Sequence, residues 1–443
     1  MCIASVLGTL LYTPFGKPIW IDEFLHFAFA SFDSTEEAWA AIKRSTSGVN
    51  HGQTGIYMLI NYWALKFWGS DALILRAPSL ICTALLYFFA AMTIKIRGYG
   101  FIWQIGAVFI LFGQSELLYY AGEARPYMPL ATAAIGTLAY AVASPDQRAT
   151  LTIKLTGLFS VILGVLMHPY FSLYWAAIFV FGFWQSWLNQ EVKFTLKDLL
   201  AYFNIPLCVI GTLIYFYLAS QTWLTGSPVF ALDPFQFMRR TDIYRLFIYN
   251  HTTFLGVHTR GEFFLYLSLT PLVLYLFCPS RLKSLVRPLL PPAVLLWLAL
   301  GLTFFISLMS YYQNYWILTR QWVASIAIVA VAFAWLMAAL FQILERTVPV
   351  RFRQGLIALL FLLLTIYCWR ASEHNAKVRW ASLLDNYGKA TVQQFDLKLG
   401  ALQCPIQPEV WVDLANANIN SRSSVSPLFK YYYSGTENPY CAK

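Results

Sequence analysis

Residues 72–94 read ALILRAPSLICTALLYFFAAMTI, and Arg76 is the one charged side chain in the run. A helix rises about 1.5 Å per residue, so this stretch reaches about 35 Å, enough for the roughly 30 Å hydrocarbon core of a bilayer. Similar apolar runs lie at about 101–121, 127–143, 151–167, 170–188, 199–220, 263–277, 288–309, 319–343 and 355–370. A shorter one at 2–15 ends at Pro14-Phe15-Gly16-Lys17 and reaches roughly 21 Å. It has neither a basic leader nor a small-residue cleavage site, so it reads as a first span cut short, with the true start upstream, rather than as a signal peptide. The pattern predicts an all-α polytopic membrane protein with about eleven spans.

Composition agrees. Of 443 residues, 58% are hydrophobic and 12% charged, against about 25% charged in soluble domains. Mean hydropathy is +0.56. A soluble enzyme, a disordered scaffold and a small disulfide-stapled domain are excluded. The net charge of +10 does not indicate nucleic acid, because the basic residues are distributed as membrane orientation requires. Seven cysteines form no CxxC pair; Cys404 and Cys441 leave a disulfide open if their segment lies in an oxidising compartment.

Orientation turns on residues 56–69, IYMLINYWALKFWG, a run that is short, rich in Trp and Tyr, and carries Lys66. It reads as a helix lying at the membrane interface. With that helix not crossing and the N-terminus inside, the inside loops hold Lys95, Arg97, Arg148, Lys154, Lys193, Lys197, Arg281, Lys283, Arg287, Arg346, Arg351 and Arg353. Against these twelve stand Asp146, Glu191, Asp198 and Glu345. The positive-inside rule then places the N-terminus in the cytoplasm and the C-terminus outside. The expected organisation is a transmembrane unit over 1–370, with external loops at 16–71 and 221–262, and an external segment at 371–443.

Polar residues collect on the outer side of this topology. Asp22-Glu23 follows the first span, between Trp20-Ile21 and Phe24, where partial desolvation strengthens a carboxylate as a base. His51 closes the same loop, and Arg76 opens the second span. The third span ends in Tyr119-Tyr120-Ala121-Gly122-Glu123-Ala124-Arg125-Pro126-Tyr127, and the fifth in His168-Pro169-Tyr170-Phe171. Arg320 starts the tenth. Singly, each has an ordinary reading: a solvated acid pair or helix cap, a snorkelling arginine, a turn histidine, the aromatic belt. Five segments bringing ionisable groups to one face point instead to a site.

In that order the elements resemble the GT-C superfamily of polytopic glycosyltransferases, in the bacterial branch related to dolichyl-phosphate-mannose protein mannosyltransferases and the lipid A aminoarabinose transferase. Asp22-Glu23 resembles the family's first-loop acid pair, and Arg76-Ala77-Pro78-Ser79 its Arg-x-Pro-Ser. Tyr120 with Glu123-Ala124-Arg125-Pro126-Tyr127 resembles its Glu-Ala-Arg-Pro-Tyr. His51-Gly52-Gln53-Thr54-Gly55-Ile56-Tyr57 is similar to a His-Pro-Pro run but lacks the prolines. His168-Pro169-Tyr170-Phe171 is similar to a His-Tyr-Phe with a proline inserted, and Arg320-Gln321 stands where the family has Arg-Tyr.

The resemblance implies an inverting transfer of a sugar from a polyprenyl-phosphate carrier to a glycan, lipid or protein acceptor, on the outer face of the cytoplasmic (inner) membrane. Asp22 is then the general base, with Glu23 beside it. Arg125 leads the donor-binding set, with Arg320, His51 and Arg76 as further cations, Glu123 on sugar hydroxyls or a cation, and His168 and Tyr127 lining the pocket. No cofactor is obligatory in this reading. A divalent cation stays open, with Asp22, Glu23, Glu123, His51 and His168 as candidate ligands. Two other readings stand beside it. One is an O-antigen ligase or polymerase using a pyrophosphate-linked glycan, suggested by Arg239, Arg240, Arg245, His251, His258 and Arg260. The other is a lipid-sugar transporter.

Overall fold

The computed structural model describes Glu23, His26, Phe29, Ala30, residues 32–46, 54–69, 72–168, 170–189, Glu191, Thr195, 261–277, 279–312 and 322–347, and single positions at Phe352, Gly355, Leu359, Leu363 and Ile366. The runs at 2–15 and 199–220, the loop 221–260, the segment 371–443, and Cys404 and Cys441 lie outside the described residues.

All regular structure among the described residues is helical. Glu23, His26 and Phe29 are helical and recur every three residues, which puts them on one face. Then come α1 (Thr35–Thr46), α2 (Ile56–Trp68), α3 (Ala72–Ile96), α4 (Phe101–Phe112), α5 (Ser115–Ala121), α6 (Tyr127–Ala141), α7 (Pro145–Ala149), α8 (Leu151–Met167) and α9 (Phe171–Leu188). The later elements are α10 (Gly261–Phe277), α11 (Ser280–Val286), a 3-10 turn at Arg287–Leu289, α12 (Leu290–Tyr312) and α13 (Val323–Thr347). Among the described residues, four helical stretches are long and apolar enough to cross a membrane: Leu73–Ile96, Phe171–Leu188, Lys283–Thr303 and Val323–Glu345.

The run expected as one span at 101–121 is broken. Gly113 donates to the Phe109 carbonyl, and the side chain of Gln114 donates to the Ile110 carbonyl at 3.0 Å. Gln114 itself is extended (φ −84°, ψ 109°) and starts a new helix. The Gln114 side chain thus gives the backbone a partner other than the helical ladder, and the helix ends there.

At the centre is α6, whose 15 residues are all buried. A helix apolar all round belongs inside, and α3, α8, α9 and α13 surround it. Small side chains let these neighbours approach closely. A Cβ on Gly157 of α8 would lie 2.6 Å from the Tyr140 ring of α6, and one on Gly136 of α6 would meet the Ser160 hydroxyl and the Phe89 ring.

The interfacial reading of 56–69 fits α2. Tyr57, Met58, Asn61, Tyr62 and Leu65 are buried, whereas Ile60, Trp63, Phe67 and Trp68 are exposed on the opposite face. Gly55 opens this helix at φ +82°, where a Cβ would also lie 2.7 Å from Ile42, so only glycine fits on both counts.

The bundle has two polar ends. Arg76 to Arg97 along α3 is about 31 Å at helical rise. At the Arg97 end, helix C-termini are held by basic and amide side chains, the arrangement the helix dipole favours. Arg97 donates to the Val142 carbonyl at 3.1 Å and Arg148 to the Ala143 carbonyl at 3.0 Å. Gln147 donates to the Ile96 carbonyl, and Arg287 to that of Leu188. Gly98 (φ +81°) closes α3 with Tyr99 N–H bonded to the Ile94 carbonyl and Gly98 N–H to that of Lys95. Four of the arginines and lysines counted as inside (Lys95, Arg97, Arg148, Arg287) thus share one end. Arg76, Arg125, Tyr127 and His168 share the other.

Packing at α6–α8 yields the first prediction. Gly157→Leu should lower stability by about 1–3 kcal/mol, read as a fall in detergent-phase Tm, whereas Gly106→Ala, inside a helix and with nothing within 4 Å of its Cβ, should not lower Tm.

Candidate active site

The site is built around one turn. Between α5 and α6 the backbone runs Gly122-Glu123-Ala124-Arg125-Pro126, with Glu123 and Arg125 only 5% and 4% exposed. Proline ends the irregular stretch, because it lacks an N–H and suits a helix start. Within the turn, Glu123 N–H donates to the Tyr120 carbonyl and Arg125 N–H to that of Glu123 at 2.9 Å. The Ala124 N–H and the Glu123 and Arg125 carbonyls are taken up from two sides.

From the first side comes Glu23. Its Oε1 accepts the Ala124 N–H at 2.9 Å and Arg76 Nε at 2.9 Å, while Oε2 accepts Arg76 Nη2 at 2.8 Å. The pair is 0% and 1% exposed. A planar guanidinium meeting a carboxylate at two points is among the strongest side-chain contacts. From the second side comes Ser79, one helical turn beyond Arg76. Its hydroxyl lies 2.6 Å from the Glu123 carbonyl and 3.2 Å from that of Arg125. Tyr57 of α2 reaches the same hydroxyl at 2.6 Å. Burial pushes the Tyr57 phenol up, more than the Ser79 contact lowers it, so it stays protonated.

Around Arg125 stand aromatic and imidazole groups. Arg125 Nη2 donates to the Tyr127 hydroxyl at 3.4 Å, and the guanidinium lies 5.6 Å from that ring's centroid. Tyr120 packs edge-on against Tyr127 at 5.4 Å. His168, at the α8–α9 junction, lies 6.5 Å from Tyr127 ring to ring. Burial, and then the charge of Arg125, lowers its imidazole from 6.5 to about 3. Thr54 donates to the Leu166 carbonyl and so ties the segment before α2 to this corner.

Of the residues expected from sequence, Glu23, Arg76, Glu123, Arg125, Tyr127 and His168 meet here. Asp22, His51 and Arg320 lie outside the described residues. Sequence reasoning missed the supports: Ser79, Tyr57, and the His26–Asn61 pair, whose nitrogens are 3.0 Å apart beside the Tyr57 ring. Ser79 and Tyr57 stood inside quoted motifs, and the three-residue spacing from Glu23 pointed to His26. Among the described residues no group of three or more His, Cys, Asp or Glu could hold a metal ion.

This arrangement presents a buried cation and aromatic walls at one end of an apolar bundle, suited to an anionic headgroup with an apolar tail. Among solved structures, the chain is similar to ArnT from Cupriavidus metallidurans bound to undecaprenyl phosphate, with 13% identity over 98% of this chain and 77% of that one and a TM-score of 0.45. The apo state of the same protein matches at 12% identity over 71% of each chain, with a TM-score of 0.26. No family model and no curated protein matches the chain.

Two predictions follow from the geometry. Arg76→Met leaves the Glu23 carboxylate buried without its counter-charge and should cost about 3–5 kcal/mol; adding Glu23→Gln should recover part of that, measured as Tm in lipid nanodiscs. His168 sets an acid dependence. Its folded pKa lies below 6.5, so as pH falls from there toward about 3 the unfolded chain takes up a proton that the folded chain refuses, and stability declines. His168→Gln should therefore flatten the loss of Tm on acidification below about pH 6.5 and change nothing in its slope above about pH 7.

Proposed function

We propose that this protein is a membrane glycosyltransferase that takes a sugar from a polyprenyl-phosphate carrier and transfers it to an acceptor on the outer face of the cytoplasmic membrane. The observation that carries the reading is the buried Arg125, held on a turn gripped by Glu23 and Ser79, at the end of the bundle opposite Arg97, Arg148 and Arg287. The positive-inside rule puts that basic end in the cytoplasm and the Arg125 end outside. Nucleotide sugars are confined to the cytoplasm, so a donor on the outer face is carried by lipid. The apolar helices accept an isoprenoid chain.

In this mechanism the acceptor hydroxyl or amine attacks the anomeric carbon from the face opposite the phosphate, and configuration inverts. Asp22 takes the acceptor's proton as the bond forms. The bond between the anomeric carbon and the phosphate oxygen breaks, and the electron pair leaves on the polyprenyl phosphate. Arg125 stabilises the charge that gathers there, with Arg320 and His51 as further groups for the same headgroup. Glu123 binds sugar hydroxyls. Glu23 and Arg76 are positioning residues: their charges are spent on each other and on the Ala124 N–H, and they hold Arg125 in place. No obligatory cofactor is required, because a fixed arginine supplies the positive charge that a metal would bring.

The test uses purified protein in lipid, a panel of radiolabelled polyprenyl-phosphate sugars and envelope-derived acceptors. Asp22→Asn should abolish transfer, by about 100-fold or more, because it removes the base, while donor binding persists. Arg125→Ala should raise the half-saturating donor concentration by about 10-fold or more, the effect of losing a hydrogen bond to a charged group. Full activity of Asp22→Asn would remove the assigned base, and transfer from pyrophosphate-linked oligosaccharides alone would replace the reading with a ligase.

A further inference from the structure

His168 has a defined proton arrangement. A neutral imidazole carries one ring proton, on one of its two nitrogens. The backbone N–H of Tyr170 donates to His168 Nδ1 at 3.2 Å, so Nδ1 presents its lone pair and the proton sits on Nε2. The backbone around the ring is fixed: the His168 backbone N–H donates to the Gly164 carbonyl and the Phe171 N–H to the His168 carbonyl, while the Tyr170 ring lies 4.9 Å from the imidazole. It is 1% exposed. Among the described residues, the ionisable groups that act on or touch it are Arg125, Tyr127 and Tyr170, and no carboxylate of that set acts to raise its basicity.

We propose that His168, which shares the Tyr127 ring as a neighbour with Arg125, is a neutral hydrogen-bond donor whose Nε2–H binds an oxygen of the anionic headgroup, and that it is not a base in the reaction. This rests on the polyprenyl-phosphate reading and deepens it. Arg125 and His168 together offer donors alone, which suits a fully ionised phosphate and works against a protonated one. The proton taken from the acceptor must then go to a carboxylate.

Two substitutions separate the roles of the two ring nitrogens. The amide nitrogen of Gln reaches about as far as Nε2, and an Asn side chain reaches about as far as Nδ1. His168→Gln thus keeps the outer donor, whereas His168→Asn keeps the acceptor for the Tyr170 N–H and loses the donor. Titrating undecaprenyl phosphate against protein in nanodiscs should rank wild type above Gln and Gln above Asn, with Asn weaker than wild type by about 10- to 100-fold, the loss expected for one hydrogen bond to a charged group. Asn binding as wild type does, with Gln impaired, would reduce His168 to a turn cap and overturn the proposal. Equal competition by inorganic phosphate would overturn the lipid headgroup as its partner.

The tautomer is read separately from function. In protein labelled with 15N-histidine, the His168 signal is the one lost in His168→Gln. At neutral pH it should report a neutral ring protonated at Nε2. A ring protonated at Nδ1, or at both nitrogens, contradicts the proposal even if the protein binds no polyprenyl phosphate, an outcome that would sink only the functional reading.

Discussion

The structure depends on the buried contact between Glu23 and Arg76. Two opposite charges removed from water are tolerable when each is held by hydrogen bonds as well as by the other, and here the carboxylate also takes the Ala124 N–H. Three segments far apart in sequence are therefore locked at one point: the stretch after the first apolar run, the start of α3, and the turn before α6. Ser79 adds a second grip on the same turn through its carbonyls. Arg125 inherits its place from these contacts, which explains why short motifs separated by fifty or a hundred residues belong together.

The bundle beneath serves the same end. Its central helix α6 begins at Tyr127, directly after the turn, and is packed so closely by α3, α8, α9 and α13 that glycine is required at Gly136 and Gly157. A rigid helix under the turn keeps Arg125 and Tyr127 from shifting relative to His168, which enters from the end of α8. At the far end Arg97 and Arg148 cap carbonyls just beyond α6. The basic residues at this end thus complete its helices.

Much of this was legible in the sequence. Apolar runs at 72–94, 151–167 and 170–188 became α3, α8 and α9 almost residue for residue, because length and hydropathy decide helices in a bilayer. The Trp- and Tyr-rich run at 56–69 became α2, with one aromatic face left exposed. What hydropathy misses is local competition for the backbone. The break at Gly113-Gln114 rests on a side-chain hydrogen bond to a carbonyl, which an apolar average smooths over. The convergence of Glu23, Arg76, Glu123, Arg125, Tyr127 and His168 was readable from motif order and topology. The division of labour among them was not, because it depends on which donor faces which acceptor. The sequence does not show that the Arg76 fork closes on Glu23, nor that the Ser79 hydroxyl lies on two carbonyls.

The proposed mechanism requires the headgroup of a polyprenyl phosphate to sit at the Glu123–Tyr127 turn, near His168. The most direct measurement is photo-crosslinking with a polyprenyl phosphate carrying a diazirine on its first isoprene unit, followed by peptide mapping. Adducts within Tyr119–Tyr127 and His168–Tyr174, competed away by unmodified undecaprenyl phosphate, are the predicted result. Adducts confined to residues 221–262, or adducts that the unmodified lipid does not displace, would contradict it.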